Sequence, residues 1–143
     1  MDTRTFSLRG KSLLGGLDQP GVGRGLPRRS SPPTVAELAR DLDLQLRSAP
    51  AQARRRATGG HCGDLVSAAM AVAREGDIWI TRQVQPHIVP VAALLRLAAI
   101  VITDGALPEA ATLARAEVEQ VPVLTTGLSA YQVAGRLYQL GLR

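Results

Sequence analysis

Aromatic residues are almost missing from this sequence: Phe6, Trp79, Tyr131 and Tyr138 are the whole set. Ala, Val, Leu and Ile must fill any core, and the stacking platforms on which single-stranded nucleic acids are laid out are scarce. Cysteine is equally sparse. Cys62 alone cannot close an internal disulfide, which removes the disulfide-stapled secreted modules and favours a reducing, cytoplasmic setting. No uninterrupted apolar run approaches the roughly 18 residues of a membrane span. Leu13, Leu14 and Leu17 are broken up by glycines where a secretory signal would be continuous, so neither membrane nor export is expected.

What is present suits one ordinary domain: 143 residues, 45% hydrophobic and 20% charged. The net charge of +5 is unevenly placed. Residues 1–33 hold six basic residues against Asp2 and Asp18, a net +4, and the remainder holds only +1. The same 33 residues carry Gly10, Gly15, Gly16, Gly21, Gly23 and Gly25 with Pro20, Pro27, Pro32 and Pro33, and show no period. They read as a disordered basic leader before a domain spanning 34–143, and nucleic-acid binding, if any, would belong to that leader.

Order begins at Thr34, where Thr34 and Glu37 have capping-box spacing for a short helix to about Asp41. Leu42, Leu44 and Leu46 alternate with polar residues as in a half-buried strand, and Arg54–Thr58 reads as a second strand entering a Gly59-Gly60 turn. Helices are then expected at about 62–74, 88–97, 108–119 and 129–140, alternating with strands over 78–81, 99–103 and 121–125. Such alternation predicts an α/β fold of three αβα layers around a mostly parallel sheet of about five strands.

Thr58, Thr81, Thr103 and Thr125 recur at intervals of 23, 22 and 22 residues, one helix plus one strand each. The spacing predicts that they line one carboxyl edge of the sheet, where open α/β sheets bind ligands. The expected site is Thr58, Gly59 and Gly60; Thr81, Gln83 and His87; Thr103, Asp104 and Gly105; and Thr125, Thr126 and Ser129. Glycines permit close backbone approach, and hydroxyls at helix starts can bind an anion such as a nucleotide or a phosphorylated metabolite. The same residue types also cap helices and make turns without any ligand, and the two readings are compatible.

Other motifs fail on context. Gly10-Lys11-Ser12 lacks the first glycine and the preceding strand of a P-loop, and Gly21-Val22-Gly23-Arg24-Gly25 runs into Leu26-Pro27 instead of a helix. His61, Cys62 and His87 are too few for a closed metal site, so neither metal nor cofactor is expected. Cys62, read as near a helix start, is expected to be mildly acidified. Arg54-Arg55-Arg56 reads as a charge-protected, solvated edge.

Arg56-Ala57-Thr58-Gly59-Gly60, Asp64-Leu65, residues 75–81 (EGDIWIT) and His87-Ile88-Val89 together resemble the DRTGG domain; residues 97–103 (LAAIVIT), Leu124-Thr125-Thr126, Val133-Ala134-Gly135 and Leu137-Tyr138 continue the likeness. The resemblance covers about Thr34 to Leu142 and implies a fold like the amino-terminal domain of HPr kinase/phosphorylase. Domains of this kind also accompany phosphotransacetylases and certain CBS-containing pyrophosphatases. The resemblance implies a regulatory, homodimer-forming module without catalytic residues. The chain departs from the pattern at Arg55-Arg56-Ala57, where Asp-Arg would precede Thr58, at His87 in place of asparagine, and at Pro90 in place of a small residue. The expected function is therefore a non-catalytic regulatory module that binds a small anionic metabolite or nucleotide. A protein-interaction module using Val133, Leu137 and Leu140, although core packing suits these residues better, and an enzyme are the alternatives.

Overall fold

Among the described residues, five strands form one sheet. A computed structural model describes residues 31–143; the leader expected over 1–33 lies outside them except for Ser31, Pro32 and Pro33. The elements are α1 (Val35–Asp41), β1 (Gln45–Leu46), β2 (Gly59–Cys62), α2 (Val66–Val72), β3 (Asp77–Thr81), α3 (Ile88–Leu94), β4 (Ala99–Ile102), α4 (Ala110–Glu119), β5 (Val123–Thr125) and α5 (Ala130–Gln139). The order across the sheet is β1-β5-β4-β3-β2; strands β2 to β5 are parallel and β1 runs antiparallel to β5.

The connections from β2 to β5 all step in one direction across the sheet, so right-handed crossovers put α2, α3 and α4 on the same face. The side chains agree. Trp79, Ile100, Ile102 and Val123 pack with Ala69, Ile88, Val89, Ala92 and Ala116. The alternate residues Ile78, Ile80, Ala99, Val101 and Leu124 face the opposite way, against Val35 and Leu38 of α1 and Val133 and Leu137 of α5. The three-layer α/β architecture follows from the two-residue side-chain period of strands buried on both faces. Trp79 is fully buried and its indole Nε1 donates to Gly63 O at 2.8 Å, which ties the loop after β2 to the core.

The first third of the domain differs from its sequence reading. The capping box at Thr34 and Glu37 is present, each backbone amide meeting the other's side chain. The Leu42–Leu46 alternation yields only a two-residue ladder, because Asp43 takes a left-handed φ of 57° that turns the chain out of α1. Arg54–Thr58 is no strand: Arg56 makes a single bridge to Thr34, and the parallel ladder begins one residue beyond Thr58, with Gly59 opposite Asp77. Gly59 and Gly60 are strand residues, not a turn. Cys62 ends β2, and α2 starts at Val66, not near Cys62.

Candidate functional site

That shift of register moves part of the expected site. Thr58, Gly59 and Gly60 stand at the amino edge of the sheet, beside the start of β3, and not at the carboxyl edge with the other threonines. The glycines there serve packing. A Cβ on Gly59 would lie 2.6 Å from Asp77 Oδ1, and one on Gly76, whose φ is +88°, would run into Thr58 Oγ1. Asp77 in turn accepts the Arg74 amide at 2.8 Å. The Thr-Gly-Gly segment and Gly76-Asp77 thus form an interlocked corner at the head of β2 and β3.

Thr81, Thr103 and Thr125 do share the carboxyl edge, in register through the pairs Thr81–Ile102 and Ile102–Thr125. All three are buried, and their hydroxyls have protein partners. Thr81 donates to Asp64 Oδ1 at 2.9 Å and Thr103 to Asp104 Oδ2 at 2.8 Å, whereas Thr125 Oγ1 accepts from Arg47 Nε at 2.9 Å. Asp64 also accepts the Arg82 amide at 2.8 Å. That backbone bond, assisted by the Thr81 hydroxyl and the Arg82 charge, holds its carboxyl below the usual carboxylate range against a smaller opposing effect of burial. The edge thus carries Asp64 and Asp104 over β2 to β4, where Arg82 pairs with Asp104 at 3.7 Å, and Arg47 over β5.

The remaining expected residues divide. Gln83 donates through Nε2 to Asp64 O, and its amide bonds Thr81 Oγ1, so it braces the β3 end. His87 is exposed at the start of α3 and makes no side-chain cap bond. Ser129 is occupied as the cap of α5, in a reciprocal box with Gln132. Asp104 and Gly105 both adopt left-handed φ, and their amides donate to Leu128 O and Thr126 O, zipping the loops after β4 and β5 together.

Those two loops then part. The chain leaves β4 for α4 on one face and leaves β5 for α5 on the other, and such a divergence opens a crevice beyond the strand ends. A hollow of about 280 Å³ lies there, lined by Asp43, Arg47, Gly105, Thr125, Thr126 and Gly127. Arg47 is in no ion pair, and the Gly127 amide donates to no acceptor, among the described residues. Sequence reading missed Arg47 because it follows the short antiparallel β1, where nothing in the local pattern marks it as facing β5. It missed Asp64 because the strand before it was placed too early.

Cys62 is exposed, but burial of its sulfur and the neighbouring Asp64 charge push its thiol up, contrary to the acidified thiol expected at a helix start. No group of three or more His, Cys, Asp or Glu side chains suited to a metal ion occurs among the described residues. Nor is any helix among them long and apolar enough to cross a membrane.

A family model for the DRTGG domain matches residues 37–140. Among solved structures, the chain is similar to the CBS and DRTGG domains of the regulatory region of Clostridium perfringens pyrophosphatase, a structure described as complexed with an activator, diadenosine tetraphosphate. The likeness has a TM-score of 0.59 at 17% identity and covers 76% of this chain and 47% of that one, so this chain spans about half of its neighbour's length. No curated protein matches. The matched span, the alternating elements and the shared fold give one answer: the chain belongs to the DRTGG domain family.

Proposed function

We propose that this protein is a cytoplasmic, non-catalytic regulatory module that binds a small anionic metabolite or nucleotide and acts as a homodimer. One observation carries the ligand part of this reading: Arg47, held by Thr125 and free of any carboxylate among the described residues, stands over the crevice where the β4 and β5 loops diverge. The bound group would rest on Arg47, Thr126 and the Gly127 amide, with Gly105 allowing close approach. Thr81, Thr103 and Asp104 would shape the rim without touching the anion, since Asp64 and Asp104 already take the hydroxyls of the two threonines. Membership of a regulatory domain family supports the regulatory role, and the nucleotide activator bound by the pyrophosphatase regulatory region supports the ligand class.

A thermal-shift panel of nucleotides and acyl phosphates tests this reading. A ligand present at about 100 times its Kd stabilises the fold by about 2.7 kcal/mol, and Arg47→Gln should abolish that gain. A flat response across the panel at millimolar concentration, or a shift untouched by the substitution, would reject it. Sedimentation equilibrium of the full chain tests the dimer separately. A second reading, a protein-interaction module, draws on the outward face of α5, where Tyr131 and Tyr138 are exposed; Val133, Leu137 and Leu140 are buried and are not available to it. Capture of a stoichiometric partner that survives Arg47→Gln but not Tyr131→Ala would favour that reading.

A further inference from the structure

The amino edge of the sheet carries a second hollow, of about 410 Å³, lined by Arg55, Arg56, Glu75, Gly76, Arg96 and Glu119. Its size falls in the roughly 300–1,000 Å³ range of small-molecule sites. The three arginines come from two separate segments, the approach to β2 and the turn between α3 and β4. None of them is in an ion pair among the described residues. Arg55 is held by uncharged acceptors only: Nε donates to Gln52 Oε1 at 3.2 Å, Nη1 to Leu97 O at 3.1 Å and Nη2 to Gln120 O at 2.8 Å. These bonds fix the guanidinium and leave two of its five N–H groups unused. Burial lowers its pKa, as expected of a cation partly withdrawn from water without a counter-charge.

Arg56 spends one N–H on Pro32 O at 2.6 Å, and the Arg96 side chain makes no hydrogen bond among the described residues. Of the two carboxylates, Glu119 is paired with Arg115, which leaves Glu75 at the exposed rim. Gly76, having no side chain, keeps that part of the wall open, and its amide is tied to Arg96 O at 3.0 Å.

We propose that this hollow is a second binding site, on the opposite edge from the carboxyl-edge crevice, and that it takes a linked diphosphate group, free or carried on a nucleoside. Guanidinium groups match phosphate oxygens in charge-assisted hydrogen bonds, and the N–H groups left over on three guanidinia from two segments lining one hollow suit two linked phosphates better than one. Arg55 is the prearranged anchor, because its orientation is set before any ligand arrives. Arg56 and Arg96 are the exposed arms that close on it.

Backbone-amide NMR of the full chain, titrated with inorganic pyrophosphate and in parallel with a nucleoside diphosphate, tests the proposal. The amides of Gly76, Arg96 and Ala98 should shift on titration with at least one of the two probes. Arg96→Gln, which removes no intramolecular hydrogen bond of that side chain, should weaken the response about tenfold or more, and Arg47→Gln should leave it unchanged. Arg56→Gln serves as an independent second variant if Arg96→Gln perturbs the fold. A response confined to Thr125–Gly127 would overturn this second site while leaving the carboxyl-edge reading intact. No response to either probe at about 10 mM, or one indifferent to both substitutions, would also overturn it.

Discussion

At the scale of single residues, the Thr-Gly-Gly segment has a structural meaning that the sequence does not display. Thr58 covers Gly76, and Gly59 lies against Asp77, so each glycine marks a close approach between the heads of β2 and β3. Gly76→Ala adds a methyl group where Thr58 Oγ1 already sits and forces a residue with a Cβ to a φ of +88°. It should cost about 1–3 kcal/mol in urea unfolding. Adding Thr58→Ala should recover part of that loss by relieving the clash but not the backbone strain, and an additive pair would contradict the contact. Asp64 makes a pH prediction. Its folded-state pKa is depressed, chiefly by the Arg82 amide, so its contribution is present above the unfolded value of about 3.9 and is lost as pH falls through the folded value. Asp64→Asn should therefore flatten part of the decline in urea midpoint between about pH 5 and pH 2. The effect is small because the group is exposed to solvent. The same substitution removes a charge that raises the Cys62 pKa, so the midpoint of the thiol's alkylation-rate profile should move down.

At the scale of elements, legibility followed the apolar signal. Strands β3, β4 and β5 are buried on both faces and read as continuous runs, Ile78-Trp79-Ile80, Ala99–Ile102 and Val123-Leu124, and their sheet order follows from sequential crossovers. Strand β2 is an edge strand of Gly-Gly-His-Cys and has no such run, so the sequence pattern points instead to Arg54–Thr58. That misplacement moved Thr58 across the sheet and made a 23-residue interval look like part of a 22-residue series. The Thr34-Glu37 cap was legible, because it is a local pattern needing no partner from elsewhere; Ser129, expected at the ligand site, forms a cap of the same kind with Gln132. Arg47 was not, since its importance arises from β1 pairing with β5, which brings it to Thr125 across a sequence separation of 78. Caps and ligand contacts can now be separated by experiment. Ser129→Ala should lower stability by about 1 kcal/mol and leave ligand affinity unchanged, whereas Arg47→Gln should abolish affinity and, through its bond to the buried Thr125, also cost about 1 kcal/mol. A Ser129→Ala protein that loses affinity without losing stability would return the serine to the binding surface.

At the scale of the whole molecule, the question is where the folded unit starts and what its charge does. Pro33 is buried, and its carbonyl accepts the amide of the buried Ala57 at 2.8 Å; the neighbouring Pro32 carbonyl accepts from Arg56. The segment just before Thr34 therefore holds the approach to β2 in place, next to the arginines of the amino-edge hollow. A chain beginning at Ser31 keeps both acceptors, and one beginning at Thr34 loses them. Loss of the Ala57 partner should make the shorter chain less stable by about 1–2 kcal/mol, read as a lower urea midpoint at unchanged slope. It should also weaken pyrophosphate binding at Gly76 and Arg96, because Arg56 loses its tether. Both shortened chains shed nearly all of the excess positive charge, since residues 1–33 carry +4 of the +5. Their affinity for a polyanion such as heparin should fall steeply and lose most of its salt dependence relative to the full chain. Equal stability of the two shortened chains would place the start of the folded unit at Thr34 and remove the two prolines from it.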